Sequence, residues 1–292
     1  MRKLKILSLN IEGISNNSDL KRQMQSKIFV DEIENNYQPD IILLQEYTNF
    51  YFLNNLKDYQ HTNNVSQVLL AGNDNVNCNI VVYKKDLNVT KKYHDCIEID
   101  NTFRIISYRG MPFKEGERDR RDEIKRIIAI HKRDMMSVNF AGDTNARAKD
   151  FHPRYELKLA EYFSDCWELE GSSYDNKFTV DAYNNQYFPD GFKYTARYDR
   201  SYISKDLKCT SFEVVFKKKY KELIEMFDGS GCISDHYGIL YTLELPGIQP
   251  PENHQQDSID LLSDDDTATP LILQTLTNGT PIAVRLLGIF RI

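Results

Sequence analysis

Carboxylates, carboxamides and one histidine recur where apolar runs of this sequence stop: Asn10, Glu46, Asp143 with Asn145, Asp199, and the adjacent pair Asp235-His236. Together these residue types could hydrolyse a phosphodiester. That reaction needs a hard cation held by one or two protein oxygens and a fixed carboxylate to align and deprotonate a water. It also needs donors aimed at the charge that develops on the phosphate oxygens. Singly, each residue has a commoner reading. Asn after a strand forms turns, Gln45-Glu46 ends a solvated strand, Gly142-Asp143-Thr144-Asn145 makes a tight turn, and His beside Asp is more often structural than catalytic. The ordered set carries the argument, because strand ends of layered α/β folds converge on one rim.

The positioning elements follow from apolar periodicity. Strands are predicted at 4–11, 41–44, 79–83, 103–108, 135–140, 197–204, 211–216 and 238–245, and helices at 19–35, 117–131 and 155–163. Leu20, Met24, Ile28 and Ile33 recur at near-helical spacing, and Pro39 stops that helix before the second strand. This reading puts every candidate residue at the C-terminal end of its strand. Strands and helices mix without a strict βαβ repeat, and no solenoid or propeller period is present.

At 292 residues, with 41% hydrophobic and 27% charged side chains, the chain suits one large α/β domain plus a tail, and excludes a collagen-like or wholly disordered chain. No run approaches the ~18 apolar residues of a membrane span. The opening residues alternate charge with apolar side chains, so an intracellular, non-secreted protein is expected, with the nucleus a compatible location. Five scattered cysteines without C-x-x-C spacing argue against a disulfide framework or a zinc site. Of the net charge of -6, residues 251–292 carry -4, with six acids against two bases. The body is therefore nearly neutral, and its basic clusters, Arg118/Arg120/Arg121/Lys125/Arg126 and Lys217-Lys218-Lys219, read first as solvated faces.

Taken together, Leu9-Asn10, Leu44-Gln45-Glu46, Gly142-Asp143-Thr144-Asn145, Asp199-Arg200 and Ser234-Asp235-His236 resemble the endonuclease/exonuclease/phosphatase superfamily over residues 1–245. The resemblance implies a four-layered α/β sandwich, two packed mixed sheets flanked by helices, with metal-dependent phosphoesterase activity. Within it, Phe140-Ala141-Gly142-Asp143-Thr144-Asn145-Ala146-Arg147, Asp165-Cys166-Trp167-Glu168, Arg197-Tyr198-Asp199-Arg200 and Ser234-Asp235-His236-Tyr237-Gly238 are most similar to the tyrosyl-DNA phosphodiesterase branch. That branch implies hydrolysis of 5′-phosphotyrosyl bonds at DNA ends, as in repair of topoisomerase–DNA or other protein–DNA adducts.

The roles then expected are these. Glu46 holds Mg²⁺, or Mn²⁺ in its place, helped by the Asn10 amide oxygen. Asp143 is the base, and Asn145 donates to a phosphate oxygen. His236, oriented by Asp199, donates to the transition state, and Asp235 completes the network. Arg147 clamps phosphate with its planar fork. The branch carries Ser-His-Leu before the Gly-Asp motif, its His on phosphate. Here Ser107-Tyr108-Arg109 has no His, so Tyr108 or Arg109 is expected to substitute. An aromatic wall of the branch is replaced by Val180, with Tyr183 or Tyr187 as candidate stacking surfaces. An abasic-site endonuclease or general nuclease, an RNA deadenylase and an inositol-phosphate phosphatase use the same metal site. A non-enzymatic alternative is a SUMO-tethered DNA-binding scaffold.

Past Leu245 the composition turns to Pro, Gly, Gln and Asp, so 246–270 is expected to be an acidic linker and 271–292 a short hairpin around Asn278-Gly279, or a tail. Within the linker, Ile259, Leu261 and Leu262 followed by Asp264-Asp265-Asp266 resemble a SUMO-interaction motif, which would add a strand to a partner's sheet edge.

Overall fold

A computed structural model describes residues 2–11, 19–47, 53–62, 78–147, 150, 157–185, 193–227 and 231–246. All but Pro246 of the expected acidic linker 246–270, with Ile259, Leu261 and Leu262, the hairpin or tail expected over 271–292, and Tyr187 lie outside the described residues.

Two six-stranded sheets form among the described residues. The first joins β1 (Arg2–Asn10), β2 (Ile41–Tyr47), β3 (Tyr59–His61), β4 (Cys78–Lys84), β13 (Lys208–Val215) and β14 (Gly238–Leu245), in the order β13-β14-β1-β2-β4-β3. The second joins β5 (Val89–Lys92), β6 (Cys96–Ile99), β7 (Phe103–Ser107), β8 (Ser137–Asp143), β9 (Phe163–Asp165) and β12 (Asp199–Ser204), in the order β5-β6-β7-β8-β12-β9. A short ribbon, β10 (Val180–Asp181) with β11 (Thr195–Ala196), stands apart. Each large sheet has one parallel pair at its centre, β1 with β2 and β7 with β8, flanked by antiparallel neighbours. A parallel pair needs a crossover. Helix α1 (Asp19–Glu32) supplies it for the first sheet and α2 (Glu117–Asp134) for the second.

Strand alternation sorts the core into three layers. Leu4 and Ile6 of β1, Ile41 and Leu43 of β2, Phe103 and Ile105 of β7, and Ile239 and Tyr241 of β14 meet between the sheets. Leu7, Leu9, Ile42 and Leu44 face outward under Ile28, Phe29 and Ile33. Ile106, Val138, Phe140 and Tyr202 face outward under Ile124, Ile127 and Ile128 of α2, apolar positions three and four residues apart. The result is the expected α/β sandwich. The interlayer turns polar toward one end: Gln45 Nε2 donates to Ser8 Oγ (3.2 Å) and Ser107 Oγ (3.1 Å), tying the sheets together just beneath the rim.

Three sequence expectations are corrected. The helix expected over 155–163 is, in its described part, a single turn α3 (Leu159–Tyr162) that gives way to strand β9. Asp199 and His236 do not close their strands: Asp199 opens β12 and His236 precedes β14, and both reach the rim because these strands run antiparallel to the central pairs. Arg120 is no solvated base. It is fully buried, with Nε and Nη2 at 3.1 and 2.8 Å from Asp150 Oδ2 and Nη1 donating to the Met111 and Phe113 carbonyls. A buried guanidinium costs several kcal/mol unless each donor is met, and here the loops after β7 and β8 meet it.

Gly142 sits where β8 passes closest to its neighbours. An added Cβ would lie 2.0 Å from the Tyr108 carbonyl oxygen and 2.8 Å from Gln45 Nε2, at φ +147°. Gly142→Ala is expected to cost about 3 kcal/mol or more in urea denaturation. Gly171→Ala, at φ +85° with nothing within 4 Å, should cost only about 1 kcal/mol.

Candidate active site

Period-two alternation would aim Glu46 at the helix side of its sheet, with Ile42 and Leu44. A β-bulge prevents this. Between the pairs Leu44 with Ile80 and Tyr47 with Cys78, β2 holds one residue more than β4, and Glu46 takes a left-handed backbone at φ +55°. The extra residue turns the Glu46 carboxylate to the interlayer rim while Tyr47 returns to the outer core. Left-handed backbone at a non-glycine residue costs roughly 1–3 kcal/mol, so the packing around β2 holds Glu46 there.

Asn10, at the end of β1, points its amide nitrogen between two carboxylates, 3.0 Å from Glu46 Oε1 and 3.0 Å from Asp143 Oδ2. Asp143, at the end of β8, also receives Asn145: its backbone N–H on Oδ1 (3.0 Å) and its side-chain amide on Oδ2 (2.8 Å). Thr144 fastens this turn to the next strand by donating its N–H (2.9 Å) and hydroxyl (2.6 Å) to the Tyr198 carbonyl, so Asp143 and Asp199 stand opposite in register. Asp199 is fully buried; its Oδ2 lies 2.7 Å from His236 Nδ1, and its Oδ1 has no hydrogen-bond partner among the described residues. Ser234 holds the His236 loop by donating to the Asn10 carbonyl (2.6 Å) and accepting the His236 N–H (3.1 Å). Asn185 adds bonds to the Ser234 and Asp235 carbonyls. Asp235, half-buried, places Oδ1 3.2 Å from Ser234 Oγ.

Asn10, Glu46, Asp143, Asn145, Asp199, Asp235 and His236 thus share one rim. Arg147 lies just beyond it with an exposed side chain that makes no ion pair among the described residues, its backbone N–H held by Asp150 Oδ2 at 3.0 Å. Tyr108 goes elsewhere. Its ring lies on the outer face of its sheet against Phe140, and its hydroxyl donates to Glu123 of α2 at 3.1 Å. Arg109, the next residue, faces the interlayer and puts Nε and Nη2 on Glu46 Oε1 at 3.0 and 2.6 Å. Alternation was the signal that separates the two: Ile106 and Tyr108 share one face, Ser107 and Arg109 the other. Thr179 had no such signal; its hydroxyl accepts from the Tyr198 and Asp199 N–H groups across the sequence.

The crowding of carboxylates shifts protonation. Burial raises Asp143; the His236 charge pulls it back and Asp199 raises it again, for a pKa of about 6. Burial alone would lower His236, but Asp199, Asp235 and Asp143 together hold it well above the ordinary histidine value. These carboxylates favour the protonated ring, with Nδ1–H on Asp199 and Nε2 turned away from that bond. For a divalent ion the donor set is hard: carboxylate oxygens and a carboxamide. Glu46 Oε2 accepts no hydrogen bond among the described residues, whereas the nearby grouping of Asp143, Asp199 and His236 has Nδ1 already committed. The residues present fit an oxygen-bound cation at Glu46, with Asn10 able to turn its oxygen toward it.

The chain has the endonuclease/exonuclease/phosphatase fold. It is similar to TDP2 from C. elegans (TM-score 0.65, 20% identity, 82% of this chain and 75% of that one). It is also similar to D. rerio TDP2 complexed with single strand DNA product (TM-score 0.62, 19% identity, 83% and 99%), and to an endonuclease/exonuclease/phosphatase family protein from Bacteroides thetaiotaomicron (TM-score 0.60, 13% identity, 84% and 98%). No family model and no curated protein matches at the level of sequence.

Both raised groups bind protons more tightly folded than unfolded. Asp143 therefore adds stability as pH falls through about 6, and the His236 contribution, full below its unfolded value near 6.5, is lost as pH rises through its folded value. Metal-free protein should accordingly be more stable at pH 5.5 than at pH 8, by about 1 kcal/mol from Asp143 alone. Denaturant melts should show that rise in the native chain and a flatter profile in Asp143→Asn.

Proposed function

We propose that the protein is a Mg²⁺-dependent phosphodiesterase acting on DNA ends, with the 5′-phosphotyrosyl bond as its substrate. The observation that carries the reading is the single rim on which Glu46, Asp143, Asn145, Asp199 and His236 meet with the hydrogen bonds given above. A divalent cation held by Glu46 and Asn10 would neutralise charge on the phosphate and its leaving oxygen. Mn²⁺ would serve the same donors.

Asp143 receives a proton from the attacking water. Its two oxygens are fixed by Asn10 and Asn145, so the carboxylate is oriented before substrate arrives, and a pKa near 6 leaves it ionised at neutral pH yet basic enough to take that proton. His236 directs Nε2–H at a phosphate oxygen, its ring held by Asp199. Asn145 has a second use: its amide, bonded to Asp143 and to the Gly110 carbonyl at 3.1 Å, lies where a phosphate oxygen would displace the weaker bond. Arg147 contributes a planar cation at the rim's edge, and Asp235 adds negative charge beside His236 and Glu46.

DNA ends as ligands draw support from the structural likeness to D. rerio TDP2, which is complexed with single strand DNA product. Tyr183, 59% exposed on the turn after β10 with Lys193 over its ring, offers a face for a base near the rim. No helix among the described residues is long and apolar enough to cross a membrane. The tail adds a separate proposal: its Ile259, Leu261 and Leu262 bind SUMO by strand addition. In a direct binding assay the triple alanine variant should lose that affinity at least tenfold; equal binding by both chains would remove it.

The test of the enzyme reading is Mg²⁺-dependent tyrosine release from a 5′-phosphotyrosyl oligonucleotide, run beside an abasic duplex. Release should fall about 10³-fold in Asp143→Asn. Incision of the abasic strand with an intact tyrosyl end would move the protein to the nuclease branch, and turnover of neither would favour the DNA-binding scaffold.

A further inference from the structure

The contact between Arg109 and Glu46 has an uneven form. A guanidinium facing a carboxylate commonly makes two parallel bonds, one to each oxygen. Here Nε and Nη2 both converge on Oε1, which also accepts Asn10 Nδ2 at 3.0 Å. Among the described residues Glu46 Oε2 accepts no hydrogen bond and Arg109 Nη1 donates none. The pair therefore keeps one carboxylate oxygen and one guanidinium edge unspent, of opposite charge and joined through the same bond. Arg109 reaches Glu46 from the other sheet, fixed by its neighbours: the Tyr108 N–H on the Ala141 carbonyl and the Gly110 N–H on the Asp143 carbonyl, each at 2.9 Å. Its side chain is 22% exposed, against 11% for Glu46, so the free edge faces the mouth rather than the core.

We propose that Arg109 is a phosphate-binding residue of this site, with one guanidinium edge on Glu46 and the Nη1 edge on a non-bridging oxygen of the substrate phosphate. The assignment rests on the phosphodiesterase reading and deepens it. Anchoring to Glu46 fixes the plane of the guanidinium before substrate arrives, which spares the ordering cost of a long side chain. The same charge works against a cation at Glu46 while the phosphate is absent. Arg109 thus couples two affinities in opposite directions: it weakens the bare metal site and strengthens the phosphate site. A residue that only propped up Glu46 would support both.

The experiment compares Arg109→Met, Arg109→Lys and Glu46→Gln with the native chain. Mn²⁺ binding without substrate is read from the free-ion electron paramagnetic signal. Affinity for a 5′-phosphorylated single strand, relative to the same strand with a 5′-hydroxyl, is read by fluorescence anisotropy. Arg109→Met should bind Mn²⁺ about tenfold more tightly, the effect of removing one partly screened unit charge within about 5 Å, and should lose about tenfold of its preference for the phosphorylated strand. Arg109→Lys should keep native Mn²⁺ affinity but not the full phosphate preference, because an ammonium lacks the second edge. Weaker Mn²⁺ binding in Arg109→Met, or an unchanged phosphate preference, overturns the proposal while Glu46→Gln still abolishes Mn²⁺ binding. Undiminished Mn²⁺ binding in Glu46→Gln would instead overturn the metal-site reading on which it rests.

Discussion

Glu46, Asp143, Asp199 and Asp235 are crowded onto one largely dehydrated rim, and holding like charges together there is the constraint the surrounding structure answers. Each carboxylate left alone would expel its neighbours or take up a proton. Asn10 counters this by donating to two of them at once, 3.0 Å to each. Asn145 answers with both its backbone and its side chain, and His236 with Nδ1 at 2.7 Å from Asp199 Oδ2. The compensation is incomplete: burial first, and then the Asp199 charge, keep Asp143 raised to about 6. A carboxylate kept partly uncompensated is the form in which a fold can store basicity.

Topology brings these groups to one place. The parallel pairs β1 with β2 and β7 with β8 end at the same rim, contributing Asn10, Glu46, Arg109 and Asp143 from their C-terminal sides. The antiparallel strands β12 and β14 begin there and contribute Asp199 and His236. Two sheets can share a polar rim only if it is joined beneath, and Gln45 does this with donors to Ser8 on its own sheet and Ser107 on the other. The Arg120–Asp150 pair plays a comparable part outside the rim, binding the loop after Gly110 to the loop that carries Arg147.

How much of this was legible follows from the range over which each residue's partners lie. Strands β1, β2, β7, β8 and β14 and helices α1 and α2 were readable because burial on one or both faces writes a local period. Asp143 and Asn145 were readable because their bonds close within two residues. Glu46 was readable as a residue type but not as a direction: the period of its own strand aims it at α1, and only pairing with β4 shows the extra residue. Tyr108 and Arg109 were distinguishable in principle, since Ile105, Ile106 and Ser107 fix the faces. Arg120 was opaque because the carboxylate that buries it lies thirty residues away. The two-residue strands β10 and β11 carry no period at all.

Formal charge sets what a bound cation would have to balance. Glu46, Asp143, Asp199 and Asp235 bring four negative charges; Arg109 and His236 return two, and the Asn10 and Asn145 amides return only dipoles. The remainder is two negative charges, which the proposed divalent cation would balance. A monovalent ion would leave the rim negative against an incoming phosphate, and a further fixed arginine in place of Asn10 would neutralise it without leaving an oxygen to coordinate. The division of labour among the basic groups follows. His236 lies buried against Asp199, whereas Arg109 is held at the mouth by a single carboxylate oxygen. Arg147, with an exposed side chain and no ion pair among the described residues, is left outside.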